Sequence, residues 1–124
     1  MIIRDKKVLL VHNAKHGLRV EPPGGKRHEG EGAEASIIRE VKEELGVSVS
    51  PVRLFGTFDT RSPEGDFSVR MFICEITSGE PGVMEPDKIP SFGWYSFSEL
   101  EGLKEDGSLV PNMAEALPLL KKLM

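Results

Sequence analysis

The sequence predicts an α/β domain in which a mixed β-sheet lies between helices, an α/β/α sandwich. Three observations support this prediction: short apolar runs of strand length, one segment of helical periodicity between them, and a chain of 124 residues, which is the size of one domain. We therefore expect a single domain over residues 1–124.

The first half of the chain predicts a hairpin, a loop and a helix. Val8–Val11 is an apolar run that predicts a buried strand, with Ile2–Ile3 as its hairpin partner. Residues 17–32 are rich in glycine and proline and predict a loop. Ala33–Leu45 has helical periodicity and is followed by Gly46, a residue typical of helix C-termini.

The second half predicts three strands and a short helix. The strands are expected at residues 47–60, 67–76 and 92–97, separated by segments rich in glycine and proline, and the helix at 98–103. Cys74 falls within the second of these strands and is expected to be a small buried side chain rather than a nucleophile.

A last helix is predicted near the end of the sequence. Asn112 is expected to cap it, with Glu115 placed to complete a capping box. Pro118 is expected to kink this helix or delay its start. Its apolar stripe consists of Met113, Leu117, Leu120 and Met124.

Composition restricts the partners and the compartment. The net charge of −4 argues against a nucleic-acid polymer as partner, because phosphate contacts need a basic surface. No apolar stretch approaches the roughly 18 to 20 residues of a membrane span. A single cysteine cannot form an internal disulfide, which fits a reducing, cytoplasmic location. The sequence is compatible with a homodimer.

The helix at Ala33–Leu45 is predicted to have an apolar face and an acidic face. On a helical wheel Glu40, Glu43 and Glu44 share a sector of about 100°, apart from the apolar sector. This acidic face is locally unfavourable, because like charges repel and the helix dipole prefers cations near the C-terminus. Clustered carboxylates suit a hard divalent cation. On the helix alone, an ordinary solvated acidic surface is an equally good interpretation. The four apolar residues are Ile37, Ile38, Val41 and Leu45.

The loop before the helix favours a binding site. Pro22 and Pro23 stiffen the entry to Gly24 and Gly25, and glycines allow the backbone to approach a ligand closely. A backbone carbonyl there could complete a metal shell with the helix carboxylates.

Together, the loop and helix resemble the Nudix box. That motif reads Gly, five residues, Glu, seven residues, then Arg-Glu-aliphatic-any-Glu-Glu-any-Gly-aliphatic. Every fixed position between Gly25 and Val47 is filled. The resemblance implies a Nudix-type α/β/α sandwich and hydrolysis of a pyrophosphate bond, with Mg²⁺ or Mn²⁺ as cofactor. The filled positions are Gly25, Glu31, Arg39, Glu40, Val41, Glu43, Glu44, Gly46 and Val47.

The resemblance also implies a role for each polar position. Glu43 and Glu44 would be the principal metal ligands, and Glu40 a further ligand or the general base. Glu31 would reach the metal directly or through water. Arg39 would orient a glutamate by a salt bridge, and Gly24 would offer its carbonyl to the metal.

The substrate is expected to be a small nucleotide, with nucleoside or deoxynucleoside triphosphates ranked first. The segment Met84–Lys88 followed by Gly93–Ser96 resembles members that cleave triphosphates to monophosphates. Gly25, Glu85 and Lys88 are the candidate substrate-binding residues. Phe92 or Trp94 could stack on a base, although core packing is the stronger interpretation of Trp94.

Two alternatives remain open at this stage. Pro63 stands where a proline is typical of ADP-ribose-cleaving members, and it also suits an ordinary turn. The other alternative is a non-catalytic, nucleotide-binding regulatory Nudix domain, but such domains usually lose part of the glutamate set that is complete here. His12, His16 and His28 are too dispersed for a metal site.

Overall fold

The computed structural model describes residues 1–14, 19–24, 29–62 and 65–124. Six of its elements are strands and three are α-helices. In chain order they are β1 (Ile2–Arg4), β2 (Lys7–Asn13), β3 (Arg19–Glu21), α1 (Ala33–Leu45), β4 (Ser48–Ser62), β5 (Gly65–Ser78), β6 (Ser91–Tyr95), α2 (Phe97–Glu105) and α3 (Pro111–Leu120), followed by a 3₁₀ turn at Lys121–Leu123.

The strands form one mixed sheet, as predicted. Its order is β3-β2-β1-β5-β4, and β6 pairs with β2. The β1–β5 pair is parallel, with Ile2 opposite Cys74, and the other strand pairs are antiparallel. Because β6 overlaps the registers of both β1 and β3 along β2, these two short strands share the opposite edge of β2.

The central strand β2 supplies both faces of the sheet. Val8 and Leu10 pack into the core on the side of α3, whereas Leu9 and Val11 pack into the core on the side of α1. All four side chains are buried, as the twofold period of a strand requires when both faces are covered. Helices on the two faces complete the predicted α/β/α sandwich.

The hairpin at the start of the chain is confirmed. Ile3 pairs with Val8, and the two turn residues Asp5 and Lys6 both have positive φ, 52° and 60°. Such a pair is typical of the tight turns that match the twist of antiparallel strands.

Helix α1 has the predicted bounds. Gly46 follows it with a left-handed φ of 73°, and its N–H donates to the carbonyl of Lys42. Val41 and Leu45 are buried in the core, and Ile37 is partly buried against it. Ile38 was expected on this face, but it lies at the edge of the apolar sector farthest from the glutamates and is 38% exposed.

Two expectations about short elements were wrong. The loop predicted at 17–32 contains β3, whose single buried residue, Val20, lies between Arg19 and Glu21 and gives too short a pattern to indicate a strand. The strands expected at 47–60 and 67–76 are also longer than predicted, because β4 continues to Ser62 and β5 starts at Gly65.

The start of α3 also differs from expectation. The helix begins at Pro111 with Val110 as its N-cap, so Asn112 lies inside the first turn and does not cap it. Proline at the first helical position needs no donor there and has a suitable φ, which explains the earlier start. The helix continues through Pro118 to Leu120.

The predicted short helix carries a cap that was not anticipated. Ser96 accepts a hydrogen bond from the N–H of Glu99, and the Glu99 carboxylate accepts one from the N–H of Ser96.

None of the helices in the described part of the chain has the length and apolar character that a membrane span needs.

Candidate active site

The three glutamates of the acidic face of α1 differ in their burial. Glu44 is completely buried and Glu40 is 7% exposed, whereas the side chain of Glu43 is 48% exposed. Helical spacing produces this gradient, because Glu44 lies nearest the apolar stripe that packs on the sheet. Two of the three acids are therefore inside the protein, which does not fit an ordinary solvated acidic surface.

Arg39 binds three carboxylates at once. Its Nε and one terminal nitrogen donate to the two oxygens of Glu31, at 2.8 and 3.0 Å. The other terminal nitrogen donates to Glu40 at 2.8 Å and to both oxygens of Glu43 at 3.2 Å. The planar guanidinium suits such a fork. Arg39 was expected to form a salt bridge with one glutamate, but it forms a network. This network holds Glu31, which precedes α1, against the helix.

Glu44 is held differently, on the other side of the acidic face. Its Oε1 accepts a hydrogen bond from the backbone N–H of Gly24, at 3.1 Å. Its buried Oε2 has no hydrogen-bond partner among the described residues. Burial is the largest influence on this carboxyl and raises its pKa to about 8, although the Gly24 N–H and the charge of Lys88 favour the ionised form.

Charges from two other elements act on Glu44. Lys88 lies in the loop before β6, and Glu21 ends β3; the first lowers and the second raises the pKa of Glu44. Glu21 accepts a hydrogen bond from the Asn13 amide at 2.7 Å and lies 3.7 Å from the Arg19 guanidinium. Sequence reasoning missed Glu21, and its position directly before the Pro22–Pro23 pair was the available signal.

The loop that carries Glu85 and Lys88 reaches the end of α1. The N–H of Met84 donates to the carbonyl of Glu44, at 3.3 Å. The carbonyl of Glu85 accepts from the N–H groups of Lys88 and Ile89, which makes a single tight turn. Oε1 of Glu85 is buried without a partner in the described part of the chain. The structure thus brings these two candidate substrate-binding residues to the side of the acidic helix.

Other residues named in the sequence analysis are outside the described residues or have other partners. Gly25, His16, His28 and Pro63 are outside the described residues. His12 is engaged by the hydroxyls of Ser91 and Tyr95.

The two aromatic candidates for base stacking are part of the packing. Phe92 and Trp94 both pack against the core on the α1 side, and the Arg4 guanidinium lies 4.5 Å from the centre of the Trp94 ring.

The carboxylates of the site would have to rearrange to hold a divalent cation. Within the described ranges, no three His, Cys, Asp or Glu side chains are arranged to hold a metal ion as they stand. Arg39 already binds Glu31, Glu40 and Glu43. The buried Oε2 of Glu44 has no hydrogen-bond partner among the described residues and is nevertheless an oxygen atom that a hard cation could bind. The residues fit a hard cation that would take over carboxylates from Arg39.

Comparison with known proteins decides the family. The family model described as NUDIX domain matches residues 1–120 of this chain. The chain belongs to the Nudix hydrolase family. The resemblance to the Nudix family that the sequence showed between Gly25 and Val47 is thereby confirmed.

Individual Nudix relatives agree with this assignment. The chain is 30% identical to an uncharacterized Nudix hydrolase, YvcI, of Bacillus subtilis, over 94% of this chain and 77% of that protein. It is 29% identical to the NAD-capped RNA hydrolase NudC of Escherichia coli over 92% of this chain, but spans only 44% of that protein.

A solved structure shows the same architecture. The MutT Nudix hydrolase of Burkholderia pseudomallei superposes with a TM-score of 0.72 at 29% identity, and the superposition covers 79% of each chain. The α/β fold expected for a Nudix protein is therefore confirmed. Nudix hydrolases generally use divalent metal ions, in keeping with the carboxylates gathered on α1.

Proposed function

We propose that this Nudix hydrolase cuts a pyrophosphate bond in a small nucleotide, with Mg²⁺ or Mn²⁺ as cofactor and nucleoside or deoxynucleoside triphosphates as first-ranked substrates. The observation that carries the proposal is the buried carboxylate of Glu44. One of its oxygens is unpartnered among the described residues, and the positive charge of Lys88 favours its ionised form. A buried acid with one unpartnered oxygen costs stability, and such costs are usually retained for function.

In this proposal Glu43 and Glu44 are the principal metal ligands. Glu40 is a further ligand or the general base, and Glu31 reaches the metal directly or through water. The Gly24 carbonyl contributes a further donor, while its N–H holds Glu44 in place at 3.1 Å. A divalent cation bound here would neutralise phosphate charge and lower the pKa of a bound water.

The chain's own residues supply the orientation and the proton transfer. Arg39 keeps Glu31 and Glu40 on the same side of α1 through bonds of 2.8 Å to each. Glu40, nearly buried beside Glu44, can accept the proton of the attacking water. Water adds to one phosphorus, the bridging oxygen leaves with the other phosphate, and a triphosphate yields a nucleoside monophosphate and pyrophosphate.

Lys88 and Glu85 are proposed to face the phosphates. Lys88 is close enough to act on Glu44 electrostatically, so a phosphate bound beside the carboxylates lies within its field. Glu85 stands in the same short turn and can add a carboxylate. Gly25 is the remaining proposed substrate contact.

We propose a soluble cytoplasmic enzyme without a nucleic-acid polymer or a membrane as partner. A homodimer is compatible with the proposal.

A substrate panel tests the function. Purified protein is incubated with Mg²⁺ or Mn²⁺ and with nucleoside triphosphates, deoxynucleoside triphosphates, ADP-ribose, NAD, dinucleoside polyphosphates or an NAD-capped RNA, and monophosphate release is measured. We expect the triphosphates to give the highest kcat/KM. The Glu44→Gln protein, prepared in parallel, controls for contaminating hydrolases.

Other outcomes would replace the proposed substrate or activity. Preferred cleavage of ADP-ribose would replace the triphosphates as substrate class, and preferred cleavage of the capped RNA would contradict a small-molecule substrate. Nucleotide binding without any hydrolysis would favour the regulatory Nudix domain.

A further inference from the structure

The loop between β5 and β6 closes the C-terminal end of α1. The last turn of a helix leaves carbonyls without intrahelical partners. Here the N–H of Gly82 donates to the carbonyl of Leu45 at 3.0 Å, and the N–H of Met84 donates to the carbonyl of Glu44 at 3.3 Å. The loop therefore caps the helix at the residue whose side chain is the buried carboxylate of the site.

The side chain of Met84 lies directly over Gly46. A Cβ added to Gly46 would stand 2.7 Å from Cε of Met84, closer than real Cβ atoms come, and 3.2 Å from its Sδ. The left-handed φ of 73° favours glycine at this position, and any other residue there would have to displace the flexible end of the Met84 side chain. Met84 is 53% exposed, so this contact adds little to the core.

The far end of the same segment is also fixed. Ile89 is completely buried in the core on the α1 side. The carbonyl of Lys88 accepts a hydrogen bond from the N–H of Ala14, at 2.9 Å. Glu85 and Lys88 therefore lie between two anchors, one on the end of α1 and one on the sheet.

We propose that Met84 is a positioning residue for hydrolysis, which clamps the segment Gly82–Ile89 onto the end of α1 and so fixes Glu85 and Lys88 relative to Glu44. The inference rests on the proposed function. In this proposal Met84 acts through the backbone hydrogen bonds that Gly82 and Met84 donate to the end of α1, and not as a catalytic residue. A thioether suits this contact because its flexible chain can lie flat over a glycine.

Amide hydrogen exchange of the metal-free protein tests the clamp without any substrate. Met84→Ala removes the contact, Met84→Leu retains an apolar cover, and Val83→Ala is the matched control on the adjacent residue, which is 39% exposed. We expect the amides of Gly82 and Met84 to exchange about tenfold faster in Met84→Ala, and at wild-type rates in the other two variants. Equal rates in wild type and Met84→Ala would overturn the clamp.

Gly46→Ala gives an independent check. The new Cβ must displace the Met84 side chain, so this variant should speed exchange at Gly82 as Met84→Ala does. In the double variant the two effects should not add, because the same contact is lost once. Additive effects would show that Gly46 acts through its backbone alone and would count against the clamp.

Steady-state kinetics test the positioning role. Met84→Ala should lower kcat about tenfold, with KM changing less than about threefold and the melting temperature falling by a few degrees at most. Met84→Leu should recover most of kcat, and Val83→Ala should retain it. Faster exchange with an unchanged kcat would overturn the positioning role and leave the proposed hydrolysis intact. A wild type inactive on every substrate would instead remove the proposed function, and with it the catalytic part of this inference, while amide exchange would still decide the clamp.

Discussion

The backbone N–H of Gly24 donates a hydrogen bond to Oε1 of Glu44, 3.1 Å away. Gly24 has a φ of 152°, and a Cβ there would stand 3.2 Å from Cδ1 of Ile37. The glycine before the box therefore ties the loop to the buried carboxylate through its N–H. The expectation that its carbonyl binds a metal stays a prediction.

Removing the charge of either principal ligand should abolish most of the activity. Glu43→Gln and Glu44→Gln keep the side-chain size, so the fold should persist, and each should lower kcat/KM by about 100-fold or more at limiting Mg²⁺. Monophosphate release and circular dichroism measure the two effects separately. Wild-type rates in both variants would rule out this metal site.

The metal-free protein should lose stability as the pH rises from about 5 to 8. The folded-state pKa of Glu44 is raised from 4.5 to about 8, so the folded protein binds more protons than the unfolded chain in this interval. Ionising the buried carboxyl then costs folding free energy, on the order of a few kcal/mol by pH 8. Melting temperatures in EDTA at a series of pH values measure this loss.

Glu44→Gln is the control for that pH dependence. The amide can still accept the Gly24 hydrogen bond but cannot ionise, so the variant should be more stable than wild type near pH 8 and should lose less stability as the pH rises. Parallel curves for the two proteins would show that Glu44 does not titrate in this range.

A divalent cation should stabilise the protein more than monovalent salt of equal ionic strength. Binding only to the folded state adds about 2.7 kcal/mol at a hundredfold excess over Kd, which raises the melting temperature by several degrees. Monovalent salt only screens the acidic face. The shift should shrink in Glu43→Gln. Equal shifts with Mn²⁺ and with monovalent salt, and none from a nucleotide analogue, would favour the regulatory or structural interpretation.

Replacing Arg39 should destabilise the metal-free protein. Arg39→Met removes the cation from Glu31, Glu40 and Glu43 and leaves these carboxylates to repel one another, so the urea midpoint should fall. Arg39→Lys should recover only part of this, because an ammonium lacks the planar fork. Urea unfolding measures the loss, and Arg53→Met, at an exposed position on β4, is the matched control.

Divalent cations should reverse part of the Arg39→Met loss. Since Arg39 no longer competes with the cation for Glu40 and Glu43 in this variant, the Mn²⁺-induced rise in melting temperature should be larger than in wild type. A smaller rise would mean that Arg39 is needed to hold the ligands in place, and that it does not compete with the cation.

The sequence predicted those features that depend on local periodicity. The bounds of α1 followed from its apolar period and from Gly46, and the two faces of β2 from an uninterrupted apolar run. The grouping of the three carboxylates on one face of α1 was predicted for the same reason, because spacing along a helix determines which side chains are neighbours.

What the sequence could not predict depends on contacts between distant segments. The charges of Glu21 and Lys88 shift the pKa of Glu44 because the folded chain brings β3 and the loop before β6 close to α1. The contact of Arg39 with Glu31 required the loop to fold back over the helix, whereas Glu40 and Glu43 lie on the same helix as Arg39. The early start of α3 had a local signal, Pro111, which was outweighed by the apparent capping box at Asn112.

The pairing of β2 with β6 has a consequence for how the chain reaches its native state. The hydrogen-bonded partners His12 and Ser91 are 79 residues apart, so this edge of β2 stays open until most of the chain has left the ribosome. Closing so long a loop makes folding slow, and an unpaired apolar strand can meanwhile associate with other chains. Fragments that end before Ser91 should therefore aggregate during expression.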